Sequence, residues 1–187
     1  AQLITDGQIT YVRVDSYKIL GSSFPGVPVP TPFIVAVVLV VVTAVILKKT
    51  ALGMYIQSVG INKRASRLIG IKSVMIIFLT YAYCGLCSGL AGLIASSRIY
   101  SADANNIGLN MELDAITAVI MGGTPIRGGN ASIAGTVLAV LILGIIRNGL
   151  TLLSVSSDFQ QWVTGFLLLA SVLISEIRVW NTRALIK

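Results

Sequence analysis

The stretch VMIIFLTYAYCGLCSGLAGLIA, which runs from Val74 to Ala95, contains no charged residue. As an α-helix it is long enough to cross the roughly 30 Å hydrocarbon core of a lipid bilayer. Gly85 and Gly89 within it have the GxxxG spacing that lets two helix backbones approach closely. Ordinary packing in a helical bundle and a dedicated dimerisation face both fit this spacing, and ordinary packing is the commoner use. The stretch predicts a transmembrane helix.

The composition of the whole chain agrees with a membrane protein. Of its 187 residues, 55% are hydrophobic and 11% are charged, whereas charged residues make up about a quarter of a soluble domain. The net charge of +7 does not indicate nucleic-acid binding, because the cations flank apolar segments instead of lining a polar surface. Cys84 and Cys87 lie inside an apolar run and the chain has no histidine. We therefore expect two inert thiols, with neither a disulfide framework nor a metal site.

Two further apolar segments also predict membrane-spanning helices. Phe33 to Leu47 is almost wholly apolar and is followed by two lysines. A strand is excluded there, because an isolated strand would leave its backbone polar groups unpaired in lipid. Thr31 is expected to cap this helix, with Pro32 at its first position. The last span is expected from about Trp162 to Ile174.

A half-length apolar segment, Ala115 to Met121, ends in Gly122 and Gly123 and is followed by another apolar stretch, Ile133 to Ile146. This pattern is typical of a broken or re-entrant helix at a transport path, although a short helix that fills a gap in the bundle also fits. Gly122, Gly123 and Asn148 are our candidates for the translocation path. Overall we predict an all-α, polytopic membrane bundle with about three full spans and this half-helix.

The distribution of lysine and arginine predicts which side of the membrane each loop faces. Residues 48–72 hold six cations and no acid, whereas residues 96–114 hold three acids and one arginine. Cytoplasmic loops collect Lys and Arg, so we expect 48–72 inside and 96–114 outside. By alternation, residues 1–32 and Asp158 fall outside, and Arg127 and the basic tail fall inside.

Arg147 is a charge within an otherwise apolar run. A charged side chain at the bilayer centre costs about 2.5 kcal/mol or more. Fourteen residues after Ile133, a helix has risen about 21 Å, which places Arg147 near the outer interface. Snorkelling to that interface is the favoured interpretation, and a contact with substrate is the alternative.

The sequence offers no enzymatic chemistry that we can identify. It has no phosphate-binding GxxxxGK[ST] loop, no HExxH motif and no serine with an adjacent base. Glu112 and Asp114 would point away from each other on a helix. Because three spans and a half-helix would not enclose a solute path, we expect the latter part of a longer polytopic chain.

The most informative polar segment is GINKRASRLIGI, Gly60 to Ile71. If Asn62 caps a short helix, an apolar face and a basic face result, with glycines allowing a turn at each end. The apolar face holds Ala65, Leu68 and Ile69, and the basic face holds Lys63, Arg64 and Arg67. On these residues alone, contact with anionic lipid and docking to a cytoplasmic partner both remain open.

Three separated stretches resemble the permease subunits of bacterial ribose-type sugar ABC importers. They are KTALGMYIQSVGINKRASRLIGI (49–71), ADANNIGLNMELDAITAVIMGG (102–123) and NGLTLLSVSSDFQQWVTG (148–165). The second is most similar to permeases thought to carry galactofuranose or galactose. The glycine loop GGTPIRGGNAS and Arg147 depart from the usual pattern, which leaves the sugar open. The resemblance covers nearly the whole chain and implies that residues 1–187 are the C-terminal part of a single permease domain.

The resemblance implies an inner-membrane transport subunit with no enzymatic activity and no cofactor or metal. Its implied partners are cytoplasmic ATP-binding subunits, a second permease subunit, identical or homologous, and a periplasmic sugar-binding protein. The implied ATPase-coupling residues are Gly60, Asn62, Lys63, Arg64, Ala65, Arg67, Leu68 and Gly70, and the candidates for contact with the binding protein are Asp103, Asn105 and Asn106. The competing hypothesis is a secondary transporter or channel, which would favour acids inside the spans; Glu176, at an inner boundary, is the nearest to one.

Overall fold

The structure is a computed structural model that describes residues 10–11, 21, 29–102, 108–126 and 128–184. The described residues are almost entirely helical, which confirms the predicted all-α class. The helices are α1 (Thr31–Lys49), α2 (Ala51–Ile61), α3 (Lys63–Leu68), α4 (Ser73–Ile99), α5 (Met111–Met121), α6 (Ile133–Leu152) and α7 (Ser157–Ala184). Two short strands, β1 (Thr10–Tyr11) and β2 (Ser101–Ala102), pair antiparallel, with Thr10 opposite Ala102.

Four of the described helices are long and apolar enough to cross a membrane: α1, α4, α6 and the part of α7 from Ser157 to Ile177. The sequence predicted about three full spans and a half-helix. The difference is α6, which continues without a break to Leu152 and so reaches spanning length. The half-length prediction is confirmed for α5, which has 11 residues.

The start of α1 differs from the prediction by one residue. Pro30, in an extended conformation, is the N-cap, and no side chain caps the helix there. Thr31 is already helical, so its assignment as the N-cap is wrong. Proline fits just before or within the first turn because the first helical N–H groups have no partner inside the helix.

The chain divides into two compact units. The first comprises Ala1–Ile56 and Arg64–Leu109, and the second comprises Gln57–Lys63 and Asn110–Lys187. In the first unit, α1 has no buried residue and is apolar on all sides, as expected of a helix that lipid or other helices surround. The hydroxyls of Thr43 in α1 and Tyr83 in α4 lie 2.6 Å apart and share a hydrogen bond.

In the second unit, the short helix α5 packs against both α6 and α7. Its buried Ala118 meets Ala139 and Leu143 of α6, and Leu167 of α7 packs against this cluster. Thr117 is also fully buried, but its hydroxyl donates a hydrogen bond to the Leu113 carbonyl of its own helix. Small side chains, and a hydroxyl that bonds within its own helix, allow α5 to lie close to two longer helices.

Candidate functional site

The segment predicted to couple to an ATPase contains the expected short helix. Helix α3 begins at Lys63, directly after Asn62, and Gly70 ends the following turn with a φ of +86°. A residue with a side chain is strained in that conformation, so the predicted turn at Gly70 is confirmed. The predicted turn at Gly60 is wrong, because α2 continues through it and the Asn62 N–H still donates to the Ser58 carbonyl.

Helix α3 exposes both its cations and its apolar side chains. Leu68 is 89% exposed and Ile69 is 75% exposed, a large exposure for residues outside the long apolar helices. Ser66, at 3%, is the buried residue of the helix. The other exposed side chains of the segment are Ile61, Asn62, Lys63, Arg64, Ala65, Arg67 and Lys72. Exposed apolar side chains surrounded by cations are typical of a surface that binds another protein.

Gly60 lies in close backbone contact with Gly128 and Gly129 within the second unit. A Cβ atom placed on Gly128 would lie 2.7 Å from the Gly60 carbonyl oxygen, and one placed on Gly60 would lie 3.0 Å from the Gly129 nitrogen. We call this contact the loop junction. Any side chain at Gly128 would force the glycine loop away from α2.

A second close contact joins the end of α5 to the start of α6. A Cβ atom on Gly135 would overlap the Gly122 carbonyl oxygen, and one on Gly122 would overlap the Thr136 backbone nitrogen. We call this contact the helix junction. Gly123 differs from its neighbour, because it has a φ of +86° and open space around its Cβ position. Gly122 therefore takes part in backbone packing, whereas Gly123 forms the turn.

At the opposite end of α5, Asp114 forms an ion pair with Arg147 of α6. Arg147 was expected to snorkel or to contact substrate, and sequence reasoning missed its partner. Burial raises the pKa of the Asp114 carboxyl, and the Arg147 guanidinium acts in the opposite direction. Asp114 lies in α5, outside the four long apolar helices. The Nε atom of Arg147 is buried and has no hydrogen-bond partner.

This ion pair lines a cleft of about 830 Å³ within the second unit, which we call the α5–α7 cleft. Much of its lining is apolar, including Trp162, and its polar lining comprises Asn110, Asp114, Arg147, Asp158, Gln161 and Thr164. Asn110 precedes α5, Arg147 lies in the last turns of α6, and Asp158 lies in the first turn of α7. The cleft is therefore at the end of α5 opposite the helix junction.

The structure does not bring the predicted path residues together at this cleft. Gly122, Gly123 and Asn148 are not among its lining residues, and Asn148 is exposed on α6. Asp103, Asn105, Asn106 and Arg127 lie outside the described residues. Within the described part of the chain, no group of three His, Cys, Asp or Glu side chains is placed to hold a metal ion.

Comparison with known protein families identifies the family of this chain. Residues 1–172 match the family described as the permease component of the branched-chain amino acid transport system. The chain belongs to this permease family. With four helices of spanning length among the residues that the structure describes, it is a multi-pass protein of the inner membrane.

Three curated relatives of this permease have informative names. The galactofuranose transporter permease protein YtfT of Escherichia coli K12 is 38% identical over 95% of this chain and 52% of its own length. The ribose import permease protein RbsC of Bacillus subtilis 168 is 43% identical over 81% of this chain and 46% of its own length. The probable ABC transporter permease protein YphD of Escherichia coli K12 is 38% identical over 87% of this chain and 49% of its own length. The chain thus spans about half the length of these relatives. No solved structure matches it.

Proposed function

We propose that this permease chain belongs to the membrane subunit of an ATP-driven importer of sugars of the ribose, galactose and galactofuranose class. The relatives named for galactofuranose and ribose support the substrate class, and the relative named as an ABC transporter permease supports the energy source. ATP hydrolysis would take place on separate cytoplasmic subunits. A second permease subunit and a periplasmic sugar-binding protein complete the proposed assembly.

The proposed arrangement places residues 48–72 in the cytoplasm and residues 1–32 and 96–114 in the periplasm. Lys63, Arg64 and Arg67 would meet acidic groups of the ATPase, and Leu68 would fill an apolar pocket on it, with Ala65 beside it. Asp103, Asn105 and Asn106 would face the binding protein. The exposure of Leu68 among three cations is the observation that carries the ATPase contact.

The coupling route would follow the chain from α3 back to Gly60 and then the contacts of the second unit. A displacement of α3 would reach Gly60 through the intervening chain, and the loop junction would pass it to Gly128 and Gly129. The helix junction between Gly122 and Gly135 would then move α5. Because 11 helical residues form a rod of about 16 Å, a shift at one end of α5 changes the α5–α7 cleft at its other end. Such a switch between two packed arrangements needs no covalent chemistry.

The substitution Leu68→Asp tests this proposal. It would put a carboxylate into the apolar pocket of the ATPase, so that reconstituted vesicles lose ATP-driven sugar uptake while the subunit still inserts into the membrane. The matched control is Leu153→Asp, because Leu153 is 76% exposed and follows α6 at the end expected to face the periplasm. Uptake would be measured with labelled pentoses and hexoses and the cognate binding protein.

Normal uptake in the Leu68→Asp variant would overturn the assignment of α3 as the coupling helix. If the full-length transporter purifies without an ATP-binding protein and moves sugar without ATP, a secondary transporter or channel is the correct description instead.

A further inference from the structure

We propose that the α5–α7 cleft is a binding site for an uncharged monosaccharide, with Trp162, Gln161 and the Asp114–Arg147 pair as its contacts. The inference rests on the proposed function and assigns particular residues of this chain to the sugar. The cleft volume of about 830 Å³ lies in the range of sites that enclose small ligands.

The side chains that line the cleft can recognise a sugar by its hydroxyl groups and its apolar ring face. Asp114, Arg147 and Gln161 provide acceptors and donors on planar groups, which form directional hydrogen bonds with neighbouring hydroxyls. Trp162 provides a large apolar surface that is 78% exposed and can lie against the C–H face of a pyranose or furanose ring. A polar cluster beside one aromatic surface distinguishes this cleft from a purely apolar lipid-facing groove.

Arg147 remains partly open to a ligand although it is paired. Its guanidinium forms the ion pair with Asp114, and its Nε atom is buried. The side chain as a whole is 40% exposed and lines the cleft. A sugar hydroxyl in the cleft could therefore accept a hydrogen bond from the exposed part of this side chain.

The charges of the lining disfavour an anionic ligand. The lining holds two acids, Asp114 and Asp158, and one cation, Arg147, so it carries one excess negative charge when both acids are ionised. A sugar phosphate or another anion would be repelled, whereas a neutral polyol would form hydrogen bonds with the same groups. The position of the cleft at the end of three helices, which we expect on the outer side, suits a sugar released by a periplasmic protein.

The test compares two exposed aromatic residues of α7 in the complete importer, reconstituted in vesicles with its binding protein. Trp162 lines the cleft, whereas Phe159, which is 55% exposed, does not. We expect Trp162→Ala to lower the D-galactose or D-ribose moved per ATP hydrolysed about tenfold, with ATP hydrolysis retained. Phe159→Ala is expected to leave this ratio unchanged.

A second measurement detects occupancy directly and remains informative if Trp162→Ala fails to assemble. In a background without other cysteines, the thiol introduced by Gln161→Cys is labelled with a membrane-impermeant maleimide from outside. D-Galactose or D-ribose should slow this labelling, and should leave labelling of Phe159→Cys unaffected.

The outcomes separate this inference from the proposed function. If the unmodified importer moves sugar but Trp162→Ala behaves like Phe159→Ala, or if neither sugar protects Gln161→Cys, the cleft is not the sugar site and the proposed function stands. If the unmodified importer moves no sugar, or carries a branched-chain amino acid instead, the proposed function and this inference are both wrong.

Discussion

Helix α1 of the first unit and helix α5 of the second are held in place by different means. In the first, α1 presents apolar side chains on all sides and has no buried residue, and the hydroxyls of Thr43 and Tyr83 join it to α4. In the second, α5 has neighbours on two sides, a backbone-to-backbone contact at one end and an ion pair at the other. Helix α1 depends on its surroundings for burial, whereas α5 is held by specific contacts within its own unit.

This difference predicts which substitutions will destabilise the protein most. A valine or leucine on α1 can be replaced by another apolar residue, because lipid adapts to its shape. A glycine at the helix junction or the loop junction cannot be replaced in this way. The atoms that a new side chain would meet belong to the backbone of another segment, which cannot rotate aside as a side chain can. Substitutions should therefore become less damaging from the helix junction to the ion pair and then to the apolar face of α1.

The largest effect is expected for Gly135→Ala. Its Cβ would overlap the Gly122 carbonyl oxygen, so α5 and α6 must separate at a loss of about 3 kcal/mol of unfolding free energy, the upper end of the usual cost of overpacking. Gly144→Ala is the matched control on the same helix, because nothing lies within 4 Å of its Cβ position, and alanine there should stabilise by about 0.5–1 kcal/mol. Thermal unfolding in detergent measures both. Equal melting temperatures would show that the helix junction is not a real constraint.

An intermediate effect is expected at the charged end of α5. Arg147→Ala leaves the partly buried Asp114 carboxylate without its partner and should cost about 1–3 kcal/mol. The double variant Asp114→Ala, Arg147→Ala should lose less than the sum of the two single variants, because neither charge is then left alone. Glu112→Ala, which removes an exposed acid from the same turn, is the control. Additive losses in the unfolding free energies would exclude the ion pair.

The smallest effect is expected in the first unit. Thr43→Val keeps the shape of the side chain but removes its hydrogen bond with Tyr83 and the one that its hydroxyl donates to the Leu39 carbonyl of the same helix, at a cost of about 0.5–1 kcal/mol. Thr80→Val is the control, because the Thr80 hydroxyl donates to the Ile76 carbonyl of its own helix. Unfolding measured in the same detergent compares the two. If Thr43→Val destabilises as much as Gly135→Ala, the contrast between the units is wrong.

Sequence reasoning was most successful where the signal is local. Three of the four spans follow from consecutive apolar residues, the half-length of α5 follows from the glycines after it, and α3 was placed within one residue of its start. It failed at Gly60, which lies inside a helix and serves a close contact. Glycine is favoured both for turns and for close approach, and the sequence does not distinguish these uses.

The candidate site shows the same limit. Arg147 was recognised as a costly charge in an apolar run, but its partner lies on another helix and no short-range pattern connects them. An acid at the start of one apolar helix and a cation near the end of the next was the available signal. Reading it requires knowing that α5 and α6 lie side by side.

The amino-acid sequence alone determined that this is a helical membrane protein with a short basic helix between its first two spans, because hydrophobicity and charge act on each segment separately. The tertiary structure decided which glycines touch, which acid pairs with Arg147 and where a polar cleft opens. Those features depend on distances between helices, which the packing of α5 against α6 and α7 sets.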